Sequence, residues 1–507
     1  MSQVTRNPLA HEPFANTEAS APPVSRLAQS DPDAHDGIRS TTNAKEYTSP
    51  GYPLADPCLS FWLQHTRTSS LLGHRTTPDL PSAAEVVIIG AGMSGAATAY
   101  YLLTGPNPPK SVLLLEAREA CHGATGRNGG HCRPDRYLGY RAYKKHFGRE
   151  QALKILENEK DTLALMTEVV AKEKIDCEFE LCDTFDVALS DEFADELLQL
   201  YQEYKSDGGQ TEAIVEFITD AELAKKRTRI AAAKVASVQP AATFWPYKFV
   251  EHILSLCIRE HGLELQTSTK VTSVSQADSS TEGKESSWIV HTDRGDIAAQ
   301  KVVYTTNAYT ATLLPEFLGY IVPFRGQCAA IVPPPAYSGP KAIRSSMSLN
   351  DHDYFFQRPK DGIIIAGGGW RYSDCTDDTT KSAGMTKHLK TMMKSYLADW
   401  DTEALGEGLL TDWTGIMGYT PEFVPFVGKL EGKPNAFINA GHAGHGMSRV
   451  MTASRGIAAI IRGDSWATTG LPECFQPTRE RLSGHKIGLG FTRSELLDRQ
   501  RVDGIAG

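Results

Sequence analysis

A chain of 507 residues has room for two or three domains, each with its own core. A formal charge of −9 offers no basic face to a nucleic-acid backbone, and no apolar run reaches the roughly 18 residues that a membrane span requires. Nine cysteines, an odd number with no CxxC pair and no histidine companions, speak for free thiols in a reducing compartment over a disulfide framework or a metal site, so the cytoplasm is the expected location.

Residues 1–50 are rich in Pro, Ser, Thr, Asn, Asp and Ala with hardly any aliphatic periodicity, and read as a disordered leader without the apolar stretch of a signal peptide. Leu59-Ser60-Phe61-Trp62-Leu63 breaks that composition, and its two adjacent large aromatics predict a segment docked on the folded body.

The stretch that organises the chain is 85–117. Val86-Val87-Ile88-Ile89 is short and β-branched, as a strand buried on both faces would be. The turn Gly90-Ala91-Gly92-Met93-Ser94-Gly95 then opens a small-residue helix over about 96–103, and a second apolar run, 112–115, ends on Glu116. In such a unit the first glycine permits the tight turn, the second lets the backbone approach a pyrophosphate, and the third lets helix and strand pack closely. Glu116, about 20 residues past the last glycine, stands where an acid accepts hydrogen bonds from a ribose. The spacing therefore predicts a dinucleotide site.

Residues 117–131 follow, with four glycines in the eight residues 123–130 and Arg127, Asn128 and His131 among them. That composition describes either a backbone running close to something flat or anionic, or a flexible surface loop. From 141 to about 206 the pattern is helical: Leu156, Leu163, Met166 and Val170 share one face, and 191–205 forms a second amphipathic helix around a strand-like stretch at 178–189. A connecting stretch at 239–246 leads to a helix over 247–260 that stops at Gly262. Residues 263–274 and 288–292 read as strands, 301–305 as a buried strand, and 328–332, 354–358 and 363–366 as a sheet roofing the bound ligand. A helix over 385–400 comes next, and Trp413 onward leads back to the first domain. Residues 435–447 repeat the strand and glycine-turn pattern before a helix with Val450, Ala453, Ile457 and Ile460 on one face; the turn either presents a helix N-terminus to the site or is a packing turn. Beyond Gly463 the chain reads as a surface tail.

Taken in order, these pieces resemble the FAD-dependent D-amino-acid-oxidase-like superfamily, which includes sarcosine, glycine and γ-glutamylputrescine oxidases. The resemblance spans 59–461. Its marks are the Gly90–Gly95 turn with Glu116, Gly126-Arg127-Asn128-Gly129-Gly130 of the γ-glutamylputrescine oxidase type, Arg325-Gly326-Gln327, Gly367-Gly368-Gly369, Trp413-Thr414-Gly415 with Thr420-Pro421, and Gly444-His445-Gly446. It implies an α/β fold in which a discontinuous Rossmann-type FAD-binding domain (51–140, 235–315 and 411–465) carries an inserted β-sheet-rich α+β substrate domain (141–234 and 316–410), with the tail at 466–507. It also implies the activity: a hydride passes from the carbon of a C–N bond to flavin N5, water hydrolyses the imine, and molecular oxygen reoxidises the flavin to give hydrogen peroxide. The substrate class is a small amine or amino acid, and the assembly a monomer or small homo-oligomer. Two other outcomes stay open: a dehydrogenase of the same fold passing electrons to a partner acceptor, as in a biosynthetic tailoring enzyme, and a non-catalytic flavin-binding assembly or sensing protein.

Carried over by position, the resemblance assigns Gly90, Gly92, Met93, Ser94 and Gly95 to the pyrophosphate, and Glu116, Ala117 and Arg118 to the adenosine. It places Thr125, Arg127, Asn128, Gly129, Gly130 and His131 beside the ring and its ribityl chain, Val271 at the adenine end, and Gly415, Gly444, His445, Gly446 and Met447 at the pyrimidine edge. Arg325, Tyr354, Trp370, Arg371 and His445 are its substrate-face candidates, an arginine there being suited to a substrate carboxylate; for Trp370 and Tyr354 ordinary packing is the competing role. Met417 and Tyr419 stand where some relatives carry a flavin-tethering cysteine, and Glu422 where the family often has Asp. A non-covalent flavin is expected, with His131 or His122 the residues able to form a histidyl link.

Overall fold

The computed structural model describes residues 48–210, 215–277, 287–350, 352–368, 378–400 and 402–487. The expected leader up to residue 47, Trp370, Arg371 and residues 488–507 lie outside them. Two sheets organise the remainder. The first has eight strands, six of them in the order Phe426–Lys429, Ala436–Ala440, Gly295–Tyr304, Ala83–Ile89, Val112–Leu115, Glu264–Gln266. The five from Ala436–Ala440 to Glu264–Gln266 run parallel, with Ile89 beside both Leu115 and Tyr304. Parallel strands must be covered on both faces, and Val86 to Ile89 and Val112 to Leu115 are buried without alternation, as their composition requires. The carboxyl ends of four strands, at Ile89, Leu115, Tyr304 and Ala440, therefore emerge on one edge, where an open α/β sheet binds its ligand.

The helix Met93–Thr104 covers one face and packs on Val450–Arg462. Its Gly95, Ala96, Ala97 and Ala99 permit that close approach, and Ser454 Oγ donates to the Ser94 carbonyl at 3.3 Å.

The second sheet has nine strands, eight in the order Gly408–Tyr419, Val322–Val332, Ile364–Gly368, Asp353–Gln357, Ser346–Leu349, Glu180–Ala188, Val235–Thr243, His131–Cys132. It contains three stretches that the sequence boundaries assign wholly or mostly to the nucleotide-binding domain, His131–Cys132, Val235–Thr243 and Gly408–Tyr419. Residues 235–243 form a strand that the proline at 240 had obscured: Pro240 falls in the gap between the two short strands paired along one side of it, Glu216–Ile218 at Val238 and His131–Cys132 at Ala242, so no ladder donor is missed there. Strand Gly408–Tyr419 likewise pairs with Val322–Val332, with Gly326 opposite Gly415.

Three further outcomes bear on expectation. The aromatic segment docks as expected: Phe61, Trp62 and Leu63 are fully buried in a one-turn helix capped by Ser60. The strand expected over 263–274 divides into Glu264–Gln266 and Val271–Gln276. Residues 466–487 are not a surface tail, for Leu471, Phe475 and Ile487 are buried and Arg481 stacks 3.7 Å from the Phe426 ring centroid. Gly456 makes room for them, since a Cβ there would meet Leu471 at 2.5 Å. Every cysteine among the described residues is a free thiol, and no cluster of metal-binding side chains occurs among them. No helix of the described residues is long and apolar enough to cross a membrane.

Candidate functional site

The turn after the first strand is built as its glycines require. Gly90 has φ +109°, a region closed to most side chains, and a Cβ on Gly95 would lie 1.9 Å from the Gly90 carbonyl oxygen. A Cβ on Gly92 would meet Thr125 Oγ1 at 3.1 Å, and the same hydroxyl accepts from Met93 N at 3.0 Å, so the downstream loop is seated directly on the helix N-terminus. Glu116 binds the turn from the other side, accepting from Ala91 N and Arg118 N at 2.9 Å each. Half-buried Ala117 lies between these two partners. Ser268 N and Thr269 N donate to the carbonyls of Arg118 and Glu116, which brings the start of Val271–Gln276 beside the acid.

The glycine-rich loop is an ordered structure. Ser60 Oγ donates to the Gly126 carbonyl at 2.5 Å and Trp62 Nε1 to the Asn128 carbonyl at 2.7 Å, while Asn128 itself bridges Thr125 O and Gly130 N. Gly130, at φ +73°, is pressed against the Trp62 ring, and Gly415 is equally close to the Arg127 Cβ. Arg127 is enclosed: Nε donates to the His122 carbonyl at 2.8 Å and Nη1 to the Thr414 carbonyl at 3.0 Å. Arg118 donates to Asp378 Oδ2 at 2.9 Å, and Arg127 Nε lies 4.0 Å from that oxygen. Burial, with the guanidinia of Arg127, Arg118 and Arg67, pulls His122 down to about 3, so its imidazole is neutral.

Whether these residues suit the expected cofactor is tested by their unused hydrogen-bonding capacity. Among the described residues, Arg127 Nη2, Arg118 Nε, His122 Nε2 and Tyr309 Oη are buried without a partner. Two guanidinia share a single carboxylate, Asp378, whose Oδ1 is itself unpartnered, so this set keeps cationic capacity to spare and fits an anionic cofactor that also carries hydroxyl groups.

Two aromatic side chains mark the opposite side of the loop. The Tyr354 side chain fills the space that side chains at Gly129 and Gly367 would need: Cβ atoms there would fall 2.4 Å from its ring and 2.3 Å from its hydroxyl oxygen. Its ring centroid is 5.4 Å from that of His131, and its hydroxyl is 3.2 Å from Cys328 Sγ. Burial raises the Tyr354 phenol well above its ordinary value and drops His131 to about 3, so both are neutral. Arg325, buried on the strand beside the Gly326–Gly415 pair, donates to Thr380 Oγ1 at 3.3 Å.

The C-terminal turn closes the site. Asn307 Oδ1 accepts from Gly441 N at 3.0 Å, and His442 Nε2 lies 3.3 Å from Ser94 Oγ, tying the turn to the first helix. Gly444 has φ +79°, and a Cβ there would meet the Tyr419 hydroxyl at 2.8 Å. Cys132 Sγ donates to the Met447 carbonyl at 3.4 Å, and His445 Nδ1 lies 3.5 Å from Glu159 Oε2, with Gly446 opening the short 3-10 turn between them. Glu422 meets Arg481 Nη2 at 3.3 Å, a contact to the C-terminal segment.

Sequence reading missed Glu159, Arg449, Asn307, Tyr309 and His442. For Glu159 a signal existed: it lies three residues after Leu156 and four before Leu163, a carboxylate on an apolar helical stripe. Asn307 carries none, because its contact joins segments more than a hundred residues apart.

A family model described as FAD-dependent oxidoreductase (DAO) matches residues 85–460. Gamma-glutamylputrescine oxidoreductase of Escherichia coli is 23% identical over 431 residues, 82% of this chain and 93% of that protein. A probable oxidoreductase OrdL of Haemophilus influenzae is 22% identical over 396 residues, 75% and 83% of the two chains. Among solved structures, glycine oxidase of Geobacillus kaustophilus superposes with a TM-score of 0.62 at 20% identity, covering 78% of this chain and 99% of the other.

Proposed function

The chain belongs to the DAO family of FAD-dependent oxidoreductases, and from that premise we propose that it oxidises the C–N bond of a small primary or secondary amine, with molecular oxygen as electron acceptor. FAD is the cofactor, and the family acts on amines or amino acids. The bound flavin would accept the hydride from the carbon bearing nitrogen and pass the electron pair to oxygen as hydrogen peroxide, water then releasing the carbonyl product.

The chain's own residues supply positioning and electrostatics. Gly90, Gly92, Met93, Ser94 and Gly95 would take the pyrophosphate, with Glu116, Ala117, Arg118 and Val271 at the adenosine end. Thr125 and Arg127 to His131 would run beside the ring, and Gly415 with Gly444 to Met447 at its pyrimidine edge. Tyr354, a neutral phenol beside the neutral His131, would form one wall of the substrate space, and Arg325, Arg371 and Trp370 remain its proposed neighbours. No side chain need act as an obligate base, because the reaction delivers an electron pair as hydride.

The observation that carries this reading is the set of buried, unpartnered polar atoms on Arg127, Arg118, His122 and Tyr309 at the carboxyl edge of the first sheet. The experiment is anaerobic reduction of the purified flavoprotein by a panel of amines and amino acids, including γ-glutamylputrescine and glycine. Bleaching of the flavin by at least one, followed by stoichiometric peroxide on admitting air, is the expected result. Bleaching without peroxide would reassign the acceptor to a partner protein or quinone, and no bleaching with any amine would overturn the catalytic reading.

A further inference from the structure

We propose that Glu159, on the long helix Tyr140–Glu173, is a positioning residue for His445: it holds the imidazole by Nδ1 and leaves Nε2 as the ring atom available to an N–H donor such as an amine substrate. The inference rests on the reading of the His445 turn as part of the flavin and substrate site.

Glu159 is wholly enclosed and cannot swing. Its Oε1 accepts from Arg449 Nε at 2.7 Å and lies 2.6 Å from Arg449 Nη2, while Oε2 accepts from Asp135 N at 2.6 Å. Arg449 is fixed in turn by the Tyr143 hydroxyl at 2.8 Å and by the Phe423 carbonyl. Burial works to raise the Glu159 carboxyl, but Arg449, His445 and the Asp135 amide hold it down at about 2, so it is an anion. Its second oxygen lies 3.5 Å from His445 Nδ1.

The histidine shows the complementary asymmetry. Nδ1 is sealed from solvent and meets Glu159 Oε2 at ion-pair distance without a formed hydrogen bond, and the side chain as a whole is 34% exposed, so the open portion of the ring lies away from Nδ1. A carboxylate facing Nδ1 favours a proton on that nitrogen and leaves Nε2 as the ring atom open to a partner. Stability alone does not account for the arrangement, since replacing a buried ion pair by apolar side chains of similar volume is often neutral or stabilising. A carboxylate on the apolar stripe of Leu156 and Leu163 is better explained by what it does to its neighbour.

The test uses flavin-loaded protein labelled with 15N-histidine, in which His445→Asn identifies the His445 signals. Wild type is expected to give the widely separated nitrogen shifts of a single Nδ1-protonated tautomer. Glu159→Gln, whose single oxygen is claimed by Arg449, should give averaged shifts of a mixed tautomer. Glu159→Asp, which keeps the charge but withdraws it by one methylene, should fall between and serves if the Gln variant does not fold. Unchanged His445 shifts in the substituted protein would overturn the proposal. A second readout is the flavin midpoint potential, measured by dye-coupled reduction and requiring no substrate. Glu159→Gln should shift it in the wild-type background and not in His445→Asn; an equal shift in both, or none in either, would overturn the proposal. If no amine bleaches the flavin while these results hold, the catalytic reading fails and the positioning role stands.

Discussion

Gly95 and Gly129 show why single atoms decide this site. A Cβ on Gly95 would stand 1.9 Å from the Gly90 carbonyl oxygen, so Gly95→Ala must push the first helix off the strand it starts from. Flavin affinity should fall at least tenfold, about 1.4 kcal/mol, read from flavin fluorescence recovered on dilution. A Cβ on Gly129 would collide with the Tyr354 ring, not with the turn. Gly129→Ala is therefore expected to retain more flavin than Gly95→Ala while lowering the rate of anaerobic reduction by an amine at least tenfold. Equal loss of flavin in both variants would contradict this division of labour. Gly92 has a different neighbour from the one its motif suggests: its Cβ direction faces Thr125, so a bulky side chain there would break the Met93–Thr125 hydrogen bond that seats the loop.

Two small elements do more than their length implies. The one-turn helix Phe61–Gln64 holds the glycine-rich loop through Ser60 and Trp62, and the Trp62 ring lies 5.3 Å from that of Trp245, with the Arg358 guanidinium 5.6 Å away. Trp62→Ala should cost about 3–5 kcal/mol and loosen the flavin, because the loop loses both a wall and a hydrogen bond. A melting temperature and a flavin-to-protein absorbance ratio that both match wild type would refute it. Residues 466–487 work the other way: Phe475 is fully buried, on a short turn that packs against the strand Phe426–Lys429 and the long helix Tyr140–Glu173. Phe475→Ala should lower stability by about 3–5 kcal/mol with flavin affinity unchanged in the folded fraction, whereas a loose tail would tolerate the change.

Across the whole molecule, acid is the expected weakness. His122, His131 and His442 are each held at about 3, chiefly by burial, against an ordinary value of 6.5. The folded state therefore binds fewer protons than the unfolded chain between those limits. The stability these neutral rings represent is fully present above 6.5 and is lost as the pH falls toward 3, at about 1.4 kcal/mol per pH unit for each ring. Glu159, held at about 2 against 4.5, adds a loss only below 4.5. The urea midpoint should thus decline from pH 7 to pH 5, and His122→Asn should remove close to one proton from the slope. A midpoint independent of pH across that range would refute the assignment.

The dinucleotide turn, its strands and helix, the acid at Glu116 and the docking of Trp62 were legible in the sequence, because each follows from the spacing of neighbours along the chain and from side chains too large or too small for any other place. The strand at 235–243 was hidden by a proline whose missing donor matters only once its flanking strands are known. The partners of the site were out of reach for the same reason. Glu159 meets His445, Asn307 meets Gly441 and Tyr354 meets Gly129 across separations of a hundred residues or more. Periodicity and spacing report the local burial of one segment; which buried polar atoms face one another is decided by how the two sheets and the long helix close on a common edge.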